Sequence, residues 1–302
     1  MANIKSSCPS IQLLSADGWK DYDLLDSGNG LKLERFGPYT FVRPEHQAIW
    51  KPALDESIWL GANGKFVATG EESGGHWSFR NPVPECWPIR YRGLSFNARP
   101  SNSRHLGFFP EQAVQWDWVS EQIKKAAKQL NILNLFGYTG VATLAAVKAG
   151  ARVTHVDASK KSISQARENQ KISQLDTAPV RWIVDDVVKF VRREMRRGTR
   201  YDGIILDPPK FGRGPQGEVW EFFEMLPILL REIQPLLHDR PIFLVITAYA
   251  IRASALSLYY AIEEIMSGYQ GDVAGGELVT KEKSAGRHIS LAIWARWSAV
   301  GE

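Results

Sequence analysis

Tyr201-Asp202-Gly203-Ile204-Ile205-Leu206-Asp207-Pro208-Pro209-Lys210-Phe211 runs from a short apolar stretch into an acid, two prolines, a cation and an aromatic ring. The apolar part reads as a strand buried on both faces of a parallel sheet, with turn formers directly after it. The prolines fix φ and keep the residues before them out of helix, so Asp207 sits in a stiff extended corner at the strand's carboxyl end. In open α/β sheets ligands bind outside that edge. Asp207, with the backbone carbonyls of Pro208, Pro209 and Lys210, is therefore a candidate catalytic corner, an acceptor array for an amino group. The Phe211 ring is a candidate surface for stacking a planar substrate. Taken alone, the segment is also explained by an ordinary loop in which the prolines only stop the strand.

Outward from this corner, residues from about 120 onward alternate strand and helix. Strands are expected at 132–136, 153–156, 180–184, 201–206 and 242–246. Helices are expected up to 147 and over 160–171, 189–200, 218–230 and 253–266. Such alternation argues a parallel sheet with helices on both faces. The pieces 276–281 and 288–297 alternate like a hairpin around Lys283-Ser284-Ala285-Gly286. The expected fold is α/β: a doubly wound, seven-stranded, mostly parallel sheet closed by an antiparallel C-terminal hairpin. The first hundred residues lack this rhythm. Short β-like pieces at 31–35, 39–43, 65–69 and 89–96 lie among turn formers, with turns expected at 26–30 and 73–75. A small β-rich domain over 1–104, suited to holding substrate, would precede the α/β domain over 105–302.

Acids stand at successive strand ends. The first strand runs into Asn134-Leu135-Phe136-Gly137-Tyr138-Thr139-Gly140, which lacks the third glycine of a pyrophosphate-binding G-x-G-x-x-G turn. That disfavours a nicotinamide dehydrogenase and suits a ligand without pyrophosphate. Asp157, with Ser159 just beyond it, ends the second strand and could accept from both hydroxyls of a ribose. Asp185 and Asp186 end the third, where an adenine amino group could donate. Each alone could be a helix N-cap. Together with Asp207 they read as one adenosine-type site.

The motifs Asn134 to Gly140 and Asp207 to Phe211 resemble the class I S-adenosylmethionine-dependent methyltransferases. They are most similar to the group of large-subunit ribosomal RNA methyltransferases carrying N-x-F-x-Y-T-G and D-P-P-K-F. The segment from His105 to Gln112 resembles that group's lead-in, though Ala113 stands where an arginine often follows. The resemblance covers about 105–295 and implies a Rossmann-like methyltransferase that uses S-adenosylmethionine as cofactor. It implies that Phe109, Gln112 and Asn134 belong to the cofactor site, and that Phe136, Gly137, Tyr138, Thr139 and Gly140 wrap the methionine end. Asp157 would hold the ribose, Asp186 the adenine, and Asp207 would face the methyl donor and target. No metal is implied. One departure matters: members that methylate cytosine at carbon 5 carry a nucleophilic cysteine after the fifth strand, and this chain has Ile246-Thr247-Ala248-Tyr249 there. Carbon methylation needs a thiolate to activate the ring, whereas a nitrogen attacks through its own lone pair. The target implied is a nitrogen of structured, ribosomal RNA. A protein or small-molecule acceptor, or a non-catalytic RNA-associated factor, remains open.

Composition sets the rest. The 302 residues are 44% hydrophobic, enough for a substantial core, and eleven are tryptophan. The net charge of +4 is a weak sign of an acidic partner. Its placement is a stronger one, because Lys189, Arg192, Arg193, Arg196, Arg197 and Arg200 face Glu194 alone. At helical spacing they stack into a basic stripe on which Arg193 and Arg197 are candidate phosphate contacts, although a solvated helix face has the same composition. With two cysteines, Cys8 and Cys86, reduced thiols are the simpler reading. Residues 1–14 show no basic start leading into an apolar stretch, and no run approaches the ~20 residues of a membrane span. A cytoplasmic protein without membrane contact is expected. The sequence does not define an oligomeric state.

Overall fold

The computed structural model describes residues 8–69 and 74–300. It opens with a strand, β1 (Ile11–Ser15), followed by β2 (Tyr22–Gly28), β3 (Leu31–Phe36) and β4 (Tyr39–Pro44). After the short helix α1 (Glu56–Leu60) come β5 (Gly64–Ala68) and β6 (Gly75–Phe79), then the hairpin β7 (Trp87–Tyr91) and β8 (Leu94–Ala98). Strands β2 to β6 form a five-stranded sheet in chain order, antiparallel except between β4 and β5. The single piece expected at 89–96 is thus two strands, turned by Arg92 and Gly93, both at positive φ. The turn expected at 26–30 starts later, since β2 runs through Gly28. Ser73, which opens the turn expected at 73–75, lies outside the described residues, as do residues 1–7 of the N-terminal stretch.

The remainder alternates as expected: α2 (Ala113–Lys125), β9 (Asn131–Leu135), α3 (Val141–Lys148), β10 (Arg152–Asp157), α4 (Lys160–Ile172), β11 (Val180–Val184), α5 (Val187–Arg196) and β12 (Gly203–Leu206). A small hairpin follows, β13 (Phe211–Arg213) and β14 (Val219–Glu221), and only then α6 (Phe222–Ile233). The helix expected from 218 therefore starts later, because Gly214 and Gly217 close a turn with Glu218 first. The chain ends through β15 (Phe243–Ala248), α7 (Ala255–Met266), β16 (Gly271–Lys281) and β17 (His288–Ala299).

The main sheet has the order β1-β16-β17-β15-β12-β9-β10-β11. It is parallel from β15 to β11 and antiparallel where β17 meets β15 and β16. Seven strands match the expected doubly wound sheet and hairpin. The eighth is β1, which pairs in parallel with β16 from Ile11↔Gly275 to Ser15↔Val279. Side chains alternate across the sheet as the pleat requires. Ile132, Ile205 and Val245 pack toward α2, α3 and the N-terminal strands. Leu133, Leu206 and Ile246 pack toward α5, α6 and α7. The first of these cores also holds Phe36, Phe41, Trp87 and Phe96, so it crosses residue 104 without a break. Among the described residues no helix is long and apolar enough to cross a membrane.

Candidate active site

Strand β9 has β10 on one side and β12 on the other, and the chain leaves β9 toward β10 but leaves β12 the opposite way, toward β15. A crevice opens at such a switch point. Its floor is the turn after β9, where Phe136, Tyr138 and Gly140 have φ of 58°, 49° and 82°. Two bulky residues in the left-handed region cost of order 1–3 kcal/mol each, and the surroundings must enforce them. Gly137 donates to the Val156 carbonyl at 3.1 Å, Tyr138 N–H to Asp157 Oδ2 at 2.8 Å, and Thr139 Oγ1 to the Gly107 carbonyl at 2.6 Å. Gly137 admits no side chain, because a Cβ would stand 2.3 Å from the His155 ring. Beneath it Asn134 Nδ2 donates to Thr143 Oγ1 at 2.9 Å, and Thr143 meets His155 Nδ1 at 2.9 Å. Burial lowers the His155 pKa to about 3, so this pin is neutral.

Asp207 closes the crevice from β12. Its N–H donates to the Leu135 carbonyl at 3.3 Å, and Gln112 Nε2 donates to Oδ2 at 3.1 Å. Burial pushes the carboxyl up to about 8; the Gln112 bond opposes this, and Glu111 and Asp157 add to it. The corner is a narrower acceptor array than its sequence suggests. The Pro209 carbonyl accepts from Trp220 Nε1 at 2.7 Å and the Lys210 carbonyl from Phe222 N–H at 3.1 Å. Pro208 is buried, while Pro209 and Lys210 are exposed. Phe211, 53% exposed on β13, lies under the Arg213 guanidinium at 6.0 Å.

The structure gathers Phe109, Gln112, Asn134, the 136–140 turn and Asp207 around one cleft of about 570 Å³. The other acids stand along the adjoining sheet edge and already carry structural bonds. Asp157 accepts from Tyr138 and, at 2.8 Å, from Ser159 N–H, and burial raises its pKa. Ser159 caps α4, Asp186 caps α5, and Asp185 accepts from Asp186 N–H at 2.9 Å. The basic stripe is largely neutralised. Arg193 pairs with Asp185, Lys189 with Glu218, Arg192 with Glu232 at 2.7 Å and Arg197 with Glu194 at 2.8 Å. Helix α5 also ends at Arg196, with Gly198 turning at φ 67°, so Arg200 does not stack on Arg196.

Gln115, Trp116 and Thr247 also line the cleft and escaped the sequence reading. Gln112, Gln115, Trp116 and Val119 recur at helical spacing, the signal that could have placed them on one face. Gln115 donates to Thr247 Oγ1 at 3.2 Å and accepts from Arg296 Nε at 2.6 Å. Arg296 lies between the Trp118 and Trp294 rings at 4.6 and 4.7 Å, and burial lowers its pKa to about 9. No side chain lining the cleft is basic, while Asp207 is among them. That lining disfavours a pyrophosphate and fits S-adenosylmethionine, whose sulfonium is cationic. The 136–140 turn, Asp207 and Gln112 could hold its amino-acid end, and Asp157 has lone pairs left for a ribose.

An S-adenosylmethionine-dependent methyltransferase family model matches residues 59–252. The structure superposes on the SAM-dependent methyltransferase from Agrobacterium tumefaciens with a TM-score of 0.92 and 46% identity, covering 97% of this chain and 96% of that one. A Streptococcus mutans methyltransferase shares the fold at 19% identity and a TM-score of 0.68, over 92% of this chain and 75% of its own. Among curated relatives, ribosomal RNA large subunit methyltransferase I of Aliivibrio fischeri is 33% identical and that of Klebsiella pneumoniae 41% identical, each over 129 residues, 42% of this chain. Those matches span about a third of the relatives' own length: 32% and 31%. With the family model covering well over half of its residues and its cleft formed at the switch point of the sheet, this chain belongs to the S-adenosylmethionine-dependent methyltransferase family, and S-adenosylmethionine is its cofactor.

Proposed function

We propose that the protein transfers a methyl group from S-adenosylmethionine to a nitrogen of a structured RNA, ribosomal RNA being the first candidate. The observation that carries the nitrogen assignment is the residue after β15. Where carbon-5 methylases need a thiol, this chain has Tyr249, and its cysteines are Cys8, exposed, and Cys86, partly buried in the loop before β7. The cofactor supplies an electrophilic methyl. The chain's own residues bind and orient. The strained 136–140 turn fixes the cleft floor before any ligand arrives. Asp207 offers a carboxylate beside the methyl-donor end, Gln112 holds that carboxylate in place, and Asp157 and Asp186 recognise ribose and adenine. A lone pair directed in line needs orientation more than covalent help, which is what a preorganised corner provides. RNA as acceptor is supported by the name of the curated relatives. The ion-paired state of α5 favours a second reading, a small acceptor with no phosphate backbone to track.

The test is transfer of labelled methyl to RNA from a strain lacking the gene, followed by nuclease digestion and mass spectrometry of the nucleosides. An N-methylated nucleoside is expected, unchanged in yield with the Cys8→Ser, Cys86→Ser protein. A 5-methylpyrimidine, or a covalent adduct with 5-fluoropyrimidine RNA, would sink the nitrogen assignment. Label found only in a protein or small-molecule fraction would sink the RNA assignment.

A further inference from the structure

Beside the cofactor cleft lies a second hollow of about 430 Å³, walled by β3 and β4, by the 104–111 segment and by Tyr249 just past β15. Phe109 is the partition. Its ring lies 6.0 Å from Tyr138 on the cofactor side and 4.7 Å from Tyr249 on the other. The two ends of the hollow differ in chemistry. At one end the Tyr249 hydroxyl is buried beside the Gln112 amide, with no hydrogen bond of good geometry among the described residues, and Glu111 is 6% exposed. A buried hydroxyl without a good hydrogen bond is destabilising, and a ligand donor or acceptor can satisfy it. At the other end are cations. Arg43 is spent on Glu34, at 2.6 and 2.7 Å, and on the Arg104 carbonyl at 3.0 Å. Lys32 stands 3.7 Å from both Glu34 and Glu45. The half-buried Arg104 guanidinium has no carboxylate partner among the described residues, so it is the charge left for a ligand. Between the ends His105 packs 4.7 Å from Phe109, and burial, with the nearby Arg43, Arg104 and Lys32, keeps it neutral.

Resting on the reading of the protein as an RNA methylase, we propose that this hollow is the acceptor pocket and that it takes one nucleotide. The base packs against Phe109 with its N–H edge on Glu111 and Tyr249, and the phosphate lies on Arg104. Phe109 lines both cavities, so a base packed on its ring lies alongside the cofactor cleft that Asp207 closes. The same chemistry could come from a nucleotide within an RNA strand or from a free nucleotide, and the N-terminal strands β3 and β4 serve as its wall in either case.

The experiment uses the full chain and tritiated S-adenosylmethionine with two acceptor preparations from a strain lacking the gene, total RNA and the free nucleotide pool. Tyr249→Phe and Arg104→Gln are compared with wild type, and S-adenosylhomocysteine titrations report whether each variant keeps an intact cofactor site. Transfer is expected to fall about tenfold for Tyr249→Phe and about thirtyfold for Arg104→Gln, the scale of one neutral and one charge-assisted hydrogen bond, with S-adenosylhomocysteine affinity unchanged. Label in RNA with these losses supports both the pocket and the RNA reading. Label in free nucleotides with these losses supports the pocket and removes the RNA reading. Wild-type rates in both variants overturn the pocket and leave the RNA reading standing. Label in neither preparation with the wild-type protein overturns both.

Discussion

At the scale of single residues, Asp207 carries the sharpest expectation, because its pKa is raised to about 8 by burial. Near neutral pH the empty cleft therefore holds it largely protonated. A cation bound beside it favours the ionised form, so binding below pH about 8 must release a proton and weakens as pH falls, by at most about tenfold per unit. S-Adenosylmethionine carries the sulfonium charge and S-adenosylhomocysteine does not, while their other ionisable groups are shared. The ratio of their affinities is expected to shift toward S-adenosylmethionine as pH rises from about 6 to about 8, and to be flat in Asp207→Asn. Calorimetry at several pH values decides it: parallel pH profiles for the two ligands in the wild-type protein would remove Asp207 from the sulfonium. Asp207→Asn is expected to keep or raise the melting temperature near neutral pH, since an amide avoids the cost of protonating the buried carboxyl on folding. Asp207 was legible in the sequence because the acid, the prolines and the apolar run are contiguous. Glu111, Arg104 and Tyr249 were not, since the hollow they line is assembled from segments remote in the chain. Tyr249 was visible only as the absence of a cysteine.

At the scale of elements, α5 shows where composition and structure part. Its cations read as a phosphate-binding stripe, but their partners come from the β11–α5 loop, the β13–β14 hairpin and α6, which local spacing does not reveal. Glu194, the one acid in the run, is 1% exposed. Burial would raise its pKa, but bonds from Tyr201, Arg197 and Arg181 outweigh that and hold it below the usual range. Arg197→Gln is therefore expected to lower the melting temperature more than Arg193→Gln, because the Glu194 carboxylate is buried while Asp185 keeps contact with solvent. Neither change is expected to alter the slope of log RNA affinity against log salt by as much as the ~0.7–0.9 of one phosphate contact. A slope reduced by that amount with unchanged stability would put α5 on the RNA after all. The parallel strands were legible for the opposite reason: each is a short apolar run ended by its own turn former or acid. β1 was not, because Ile11 and Leu13 are 40% and 62% exposed and its partner β16 lies more than 250 residues away. The three-residue strands β13 and β14 are too short for alternation to register.

At the scale of the molecule, the expected division at residue 104 meets a core that does not divide there. Phe36, Phe41 and Phe96, each fully buried, share one cluster with Leu144 and Ile132 of the α/β part. Two further ties join the chain's beginning to its end. Strand β1 lies against β16 so closely that a Cβ on Gly276 would stand 1.8 Å from the Gln12 carbonyl oxygen. In the turn between β16 and β17, Lys283 N–H donates to the Leu24 carbonyl at 2.9 Å and Ser284 Oγ to Asp26 at 2.6 Å. Two folding units would be separated by a polar, hydrated boundary, whereas a continuous apolar core makes loss of either side expose the other. One cooperative transition is expected, despite a length at which separate domains often unfold in steps. Hydrogen exchange against denaturant measures it directly. Amides of β4 and β8 should lose protection at the same midpoint as those of β9 and β12. A lower midpoint for β4 and β8 would mean that the N-terminal strands open on their own, and the hollow between β3, β4 and Tyr249 would then form only after they close.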